Sequence, residues 1–199
     1  MTQVSLAKLI AGAIAGKVVS FPTDTVPALA VLPERSKLIF AAKKRPQDKP
    51  LILMAASSAD LWSYVTGTPQ ELELWQQIAR QYWPGALTLV LPASSRVPAA
   101  MNPADPTTIG MRVPNQKTAL AILSQTGPLA TTSANPSGEA PLETMTAIEA
   151  AFPDLFTLDC AQLEGGEKLG SGLPSTVAKW TGNGWEILRQ GSIKEIRKF

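Results

Sequence analysis

Residues 108–138 read TIGMRVPNQKTALAILSQTGPLATTSANPSG. The apolar run at its start, closed by Arg112 and Val113, reads as a strand over 108–113. Residues 117–125 read as a helix, and 129–132 as a second strand that runs into a polar loop ending at Gly138. A strand, a helix and a strand within this window set the theme of the whole chain.

The same alternation extends outward on both sides. Upstream, Leu6, Leu9, Ile10, Ala13 and Ile14 recur at helical spacing, and Gly16 supplies a stop. A buried strand over 18–21 ends at Pro22, and a second strand is expected over 29–32. A short helix over 36–44, with Leu38, Ile39 and Ala42 inward, closes at Arg45-Pro46, and a strand follows over 51–55. Helices are predicted over 59–64 and over 69–82, the latter with Pro69 near its first position. Trp83-Pro84-Gly85 is a turn into a strand over 87–91, and 94–106 reads as a surface loop, a candidate lid. Downstream, a helix over 144–151 and a short strand over 156–158 precede a glycine-rich, mobile segment over 165–172. A hairpin of 175–180 with 185–188 turns about Thr181-Gly182-Asn183-Gly184. The pattern predicts one α/β (or α+β) domain over 1–199 with a mixed sheet.

Composition narrows the function classes. A chain of 199 residues with 45% hydrophobic and 17% charged residues suits one domain with a full core. A net charge of +2 does not by itself announce a nucleic-acid binder, although Lys43, Lys44, Arg45 and Lys49 outnumber Asp48 locally. The apolar stretch 9–15 lacks a basic leader and reads as an amphipathic helix rather than a signal peptide, and no run reaches the ~18 residues of a membrane span. One cysteine, Cys160, fits a reducing, cytoplasmic setting. There is no histidine, so histidine triads and histidine metal motifs are excluded. The chemistry must use Lys, Arg, Ser, Thr, Asn or carboxylates.

Two polar loops stand out. The cationic stretch 43–49 ends a helix, where positive charge also simply complements the helix dipole. Thr131, Thr132, Ser133 and Asn135 follow an apolar strand start, where turn chemistry is the plain alternative to ligand binding. Brought together, the two loops would suit a phosphorylated ligand without a P-loop. Asp24 and its flanking threonines read as cap or turn residues, or as local backbone partners. Arg112, among apolar strand residues, requires an anion, most commonly a carboxylate. The glycines of 165–171 lack the Walker A lysine, and no acidic cluster marks a metal site.

Taken in order, Phe21 to Val26, Lys43 to Pro46, Lys49 to Leu51, Trp83 to Gly85, Thr108 to Pro114, Pro128 to Gly138, Pro174 to Val177 and Leu188 to Gly191 resemble the YrdC-type threonylcarbamoyl-adenylate synthase family. The resemblance implies a YrdC/RibB-like open, twisted mixed sheet flanked by helices, with a concave basic ligand face. It implies that L-threonine, bicarbonate or CO₂, and ATP give threonylcarbamoyl-AMP and pyrophosphate, for modification of an adenosine in tRNA. Mg²⁺ would arrive with ATP, and no tightly bound organic cofactor is implied. The implied catalytic set is Lys43, Arg45, Ser133 and Asn135. ATP would meet Arg45, Lys49, Thr108, Asn135 and Arg189, and threonine would meet Thr25, Arg112, Ser133 and Ser175. Partners implied are tRNA or another RNA and downstream threonylcarbamoyl-transferase proteins, with no membrane.

The chain departs from the family pattern at Pro27-Ala28, where Tyr-Gly is usual, at Met54, where many members carry His, and at Leu173-Pro174. These departures, with the 43–49 cluster, leave a second expectation: an RNA-binding paralogue with little synthase activity.

Overall fold

The computed structural model describes residues 2–44, 46, 48–159, 161, 170–194 and 196. The strands are β1 Gln3–Val4, β2 Val19–Phe21, β3 Ala28–Val31, β4 Ile52–Met54, β5 Leu87–Pro92, β6 Thr108–Arg112, β7 Leu129–Ser133, β8 Phe156–Leu158, β9 Thr176–Trp180 and β10 Trp185–Arg189. The helices are α1 Leu6–Ile14, α2 Lys37–Lys43, α3 Pro69–Tyr82, α4 Lys117–Thr126 and α5 Met145–Ala151. The strands form one sheet in the order β1-β8-β2-β3-β7-β4-β6-β5-β9-β10. It is mixed: β1/β8, β2/β8, β4/β6 and β5/β9 are parallel, while β2/β3, β3/β7, β4/β7, β5/β6 and β9/β10 are antiparallel.

Local chemistry explains where the helices start. Ser5 caps α1 by accepting from the Lys8 amide, and Gly16 takes the left-handed conformation just past its end. The Thr68 hydroxyl accepts from the Glu71 amide while the Glu71 carboxylate accepts from the Thr68 amide, a capping box reinforced by Pro69. The Gln116 and Thr144 side chains cap α4 and α5 by accepting from the Ala119 and Ala147 amides.

Strand alternation then divides the sheet into two faces. On β5 and β6, Leu87, Leu89, Leu91, Ile109 and Met111 are fully buried in the core. The intervening Thr88, Val90, Thr108, Gly110 and Arg112 line a cavity on the opposite face. α1 packs on β2, β8 and α4, α5 packs on β2 and β8, and α2 leans on β3.

Several expectations need correction. The 59–64 helix is only a 3-10 turn at Trp62–Tyr64, because the Ser57 amide and hydroxyl bond the Asp60 carboxylate and fold that stretch into turns. Ile14 is 55% exposed, since α1 buries Leu9, Ile10, Gly12 and Ala13 instead. Leu38 likewise points out, and Phe40 and Lys43 accompany Ile39 inward. The 94–106 loop is not free surface along its length: Met101 is buried, and its carbonyl accepts from the Leu51 amide. Strand β1, two residues long, carried no sequence signal. Of the glycine-rich segment expected to be mobile, 165–169 lie outside the described residues.

Candidate active site

A cavity of about 500 Å³ opens on the face of β5 and β6 opposite the core, over β4, β6, β5 and β9 and beside β7. Thr25, Lys49, Thr108, Arg112, Ser133, Ser175 and Arg189 of the predicted site all line it. Lys43 and Asn135 stand behind its wall, and Arg45 lies outside the described residues.

Arg112 is the most constrained of these groups. It is 4% exposed at the end of β6. Its Nε donates to the Gly85 carbonyl (3.0 Å), Nη1 to the Thr25 hydroxyl (2.8 Å) and Nη2 to the Asp24 carboxylate (2.6 Å). Three of the five guanidinium hydrogens are thereby committed, leaving two for a ligand. Burial pulls the Arg112 guanidinium below its ordinary pKa; Asp24 opposes that pull and Arg189 adds to it. The expected anion for Arg112 is thus supplied from within the protein by Asp24, which the sequence reading treated as a cap or turn residue.

The segment carrying Asp24 is itself fixed. The Thr23 hydroxyl donates to the Val26 carbonyl (2.7 Å), so it accepts from the Thr25 amide (3.1 Å) and the Thr25 hydroxyl (3.0 Å). The Thr25 oxygen is then left to accept from Arg112, and the bonds polarise one another along the chain. From the other side, the Ser171 amide bonds the Asp24 carbonyl and the Gly172 amide bonds the Thr25 carbonyl. A Cβ on Gly170 would fall 2.3 Å from the Thr25 carbonyl oxygen, so this approach admits only glycine.

The two polar loops do meet. Lys43, 3% exposed, donates Nζ to the Ser133 carbonyl at 2.5 Å, with Asn135 Oδ1 at 3.4 Å and Thr132 Oγ1 at 3.5 Å. The Ser133 hydroxyl also donates to Asn135 Oδ1, and both Asn135 Nδ2 hydrogens go to the Pro136 and Glu139 carbonyls. Asn135 is therefore the hub of the loop, and Lys43 the cation that holds it against α2. Ser133 is the member of this trio that faces the cavity.

On the opposite wall, Ser175 shares a hydrogen bond with Thr88 (2.8 Å) and accepts from Arg189 at both its carbonyl (3.0 Å) and its hydroxyl (3.1 Å). The β9/β10 ladder slips between Ile187 and Arg189, a bulge that turns Arg189 toward the cavity. Burial lowers the Arg189 pKa as well. At the start of β6 the Thr108 hydroxyl accepts from Asn102 (3.1 Å), and Lys179 of β9 opens into the same space. Sequence reading missed Thr88, Asn102 and Lys179 as wall residues and Asp24 as the carboxylate that braces Arg112. A polar residue between apolar neighbours in its strand was the signal for Thr88 and Lys179; nothing local marked Asn102. Pro27, Ala28, Met54 and Pro174, where the chain departs from the family pattern, all line the cavity. Among the described residues, no group of three or more acidic, histidine or cysteine side chains could hold a metal, and no helix is long and apolar enough to cross a membrane.

A cationic cavity with one preorganised guanidinium and several hydroxyls suits a ligand carrying a carboxylate and phosphates. Comparison with known proteins agrees with that chemistry. The Sua5/YciO/YrdC family model, described as "Telomere recombination", matches residues 13–191. The threonylcarbamoyl-AMP synthase of Pyrococcus abyssi is 37% identical over 190 residues, covering 92% of this chain and 53% of the relative. That of Bacillus subtilis is 34% identical over 184 residues, covering 89% of this chain and 50% of the relative. The solved structure of P. abyssi Sua5 complexed with L-threonine superposes with a TM-score of 0.79 at 32% identity, covering 95% of this chain and 55% of that one. The chain thus spans about half the length of these relatives. On these matches, the chain belongs to the Sua5/YciO/YrdC family.

Proposed function

We propose that this protein is a threonylcarbamoyl-AMP synthase. The observation that carries the reading is Arg112: a buried guanidinium braced by Asp24, Thr25 and Gly85, with two hydrogens left to clasp a carboxylate inside a cation-lined cavity. L-Threonine binds with its carboxylate on Arg112, beside the Thr25, Ser133 and Ser175 hydroxyls. Its amine combines with bicarbonate or CO₂ to give a carbamate. A carbamate oxygen attacks the α-phosphorus of ATP in line, the new P–O bond forms as the bond to the β-phosphate oxygen breaks, and pyrophosphate leaves. Such a displacement asks for positioning and charge stabilisation rather than a dedicated base, so a site without histidine suffices.

Lys49, Arg189 and Thr108 receive the nucleotide, and Arg45, which lies outside the described residues, is assigned to it by the family resemblance alone. Lys43 and Asn135 act one layer back, holding Ser133 in place. Mg²⁺ travels with the triphosphate, and Asp48 is the one carboxylate among the lining residues available near it. The product serves threonylcarbamoyl transfer to an adenosine of tRNA in the cytoplasm, through downstream transferase proteins.

The test is threonine-dependent pyrophosphate release from ATP and bicarbonate. Release well above that of a Lys43→Ala, Arg45→Ala double variant supports the reading. Release equal with serine, or without any amino acid, refutes threonine as substrate, and no release refutes the synthase.

A further inference from the structure

Gly110 lies in the middle of β6, and nothing in the protein itself asks for glycine there. Its φ is outside the left-handed region, so the backbone accepts any L-residue. A Cβ at this position would meet Thr88 Cγ2 at 3.4 Å, Ile52 Cγ1 at 3.5 Å and Val90 Cγ2 at 3.9 Å, all ordinary van der Waals contacts. Other glycines behave differently: at Gly85 and Gly191 a Cβ would sit 2.5 and 2.4 Å from backbone atoms. A glycine inside a strand weakens it, and it usually marks a bulge, a bend or the close approach of a backbone or ligand. The ladders on both sides of Gly110 run in unbroken register, against Ile52 on β4 and Val90 on β5, so no bulge accounts for it. Its open side faces the cavity. The remaining reason is a ligand.

Position narrows which part of the ligand this is. Strand alternation puts Gly110 on the cavity face midway between Thr108 and Arg112, about 7 Å along the strand from each. Ile52 and Val90 rise on either side, so the missing side chain leaves a trough one strand wide. In the synthase reading, on which this inference rests, Arg112 holds the threonine carboxylate and Thr108 borders the adenylate. What spans the interval is the carbamate and the α-phosphorus. We propose that Gly110 is the floor of the reacting junction, where bare backbone lets the carbamate oxygen reach the α-phosphorus in line. Gly110 is a positioning residue: it contributes room.

Gly110→Ala tests this, because its new methyl group meets no atom of the folded protein too closely. Four quantities are measured beside wild type: thermal stability, threonine binding alone, ATP binding alone, and threonine-dependent pyrophosphate release. The expected result is an unchanged or higher Tm, each ligand bound alone within about 3-fold of wild type, and kcat reduced on the order of 10²-fold, as a displacement of about 1 Å at the reacting atoms would produce. Turnover within about 3-fold of wild type overturns the proposal. So does a loss of ATP or threonine affinity that accounts for the whole defect, since the trough would then seat one ligand rather than the junction. A large fall in Tm assigns the glycine to packing and also overturns it. Wild type that releases no pyrophosphate instead refutes the synthase reading itself.

Discussion

Replacing Asp24 by Asn removes the anion that faces Arg112 while keeping the shape of the side chain. The pair is 2.6 Å apart, with side-chain exposures of 5% for Arg112 and 15% for Asp24, so water can replace little of what is lost. Deleting one partner of such a buried pair costs about 3–5 kcal/mol, because the remaining charge stays desolvated. Asn retains an acceptor oxygen for Nη2, which holds the expected loss to about 2 kcal/mol. At this chain length that corresponds to a fall in Tm of roughly 4–8 °C. Urea unfolding gives the free energy and thermal melts give the Tm. Threonine provides a second readout: its carboxylate substitutes for the missing anion, so saturating threonine raises the Tm of Asp24→Asn by more than that of wild type. A loss below about 0.5 kcal/mol, the level of an exposed pair, refutes the reasoning. An equal threonine shift in both proteins refutes the carboxylate's position on Arg112.

Lys43→Met keeps the buried stem but removes the donors that hold the Ser133–Asn135 loop. The Ser133 carbonyl keeps the Asn135 amide, so the loss is that of the charge-assisted bonds, about 1.5–3 kcal/mol, and pyrophosphate release should fall by about 10²-fold, read by urea unfolding and steady-state kinetics. Glu71 has its pKa lowered chiefly by the Thr68 amide, then by the Trp180 indole and the Thr68 hydroxyl. A carboxylate lowered by folding contributes stability above its unfolded pKa that is lost as pH falls through the folded one. Wild type should therefore lose stability below about pH 4.5 more steeply than Glu71→Gln; parallel curves from pH-dependent melts would contradict that.

Local signals carried the sequence reading furthest. Helix α3 was bounded correctly at Pro69 and Tyr82 because a proline at its first position and an uninterrupted run behind it marked both ends. Strand β8 was likewise framed correctly, and β6 and β7 to within one residue. What stayed hidden depends on contacts far apart in the chain. Asp24 looks like a turn residue until β6, 88 positions later, brings Arg112 beside it. Lys43 looks like a solvated helix end, and it becomes buried because the end of β7 and the loop after it supply three oxygens to its ammonium. Sheet order was equally unreadable, since β7 inserts between β3 and β4 by pairing that no local spacing encodes. The Ser133 and Asn135 pair was legible as a polar loop, but its division into one cavity-facing hydroxyl and one internal hub was not.

In the proposed function, this cavity joins threonine, bicarbonate (or CO₂) and the AMP portion of ATP into one molecule. The most direct measurement is mass spectrometry of the products after incubation with ATP, L-threonine and ¹³C-bicarbonate. The expected product is threonylcarbamoyl-AMP carrying a single ¹³C, formed together with pyrophosphate and lost in Arg112→Ala. Pyrophosphate with unlabelled AMP alone, or a labelled adduct formed as readily by Arg112→Ala, would contradict it.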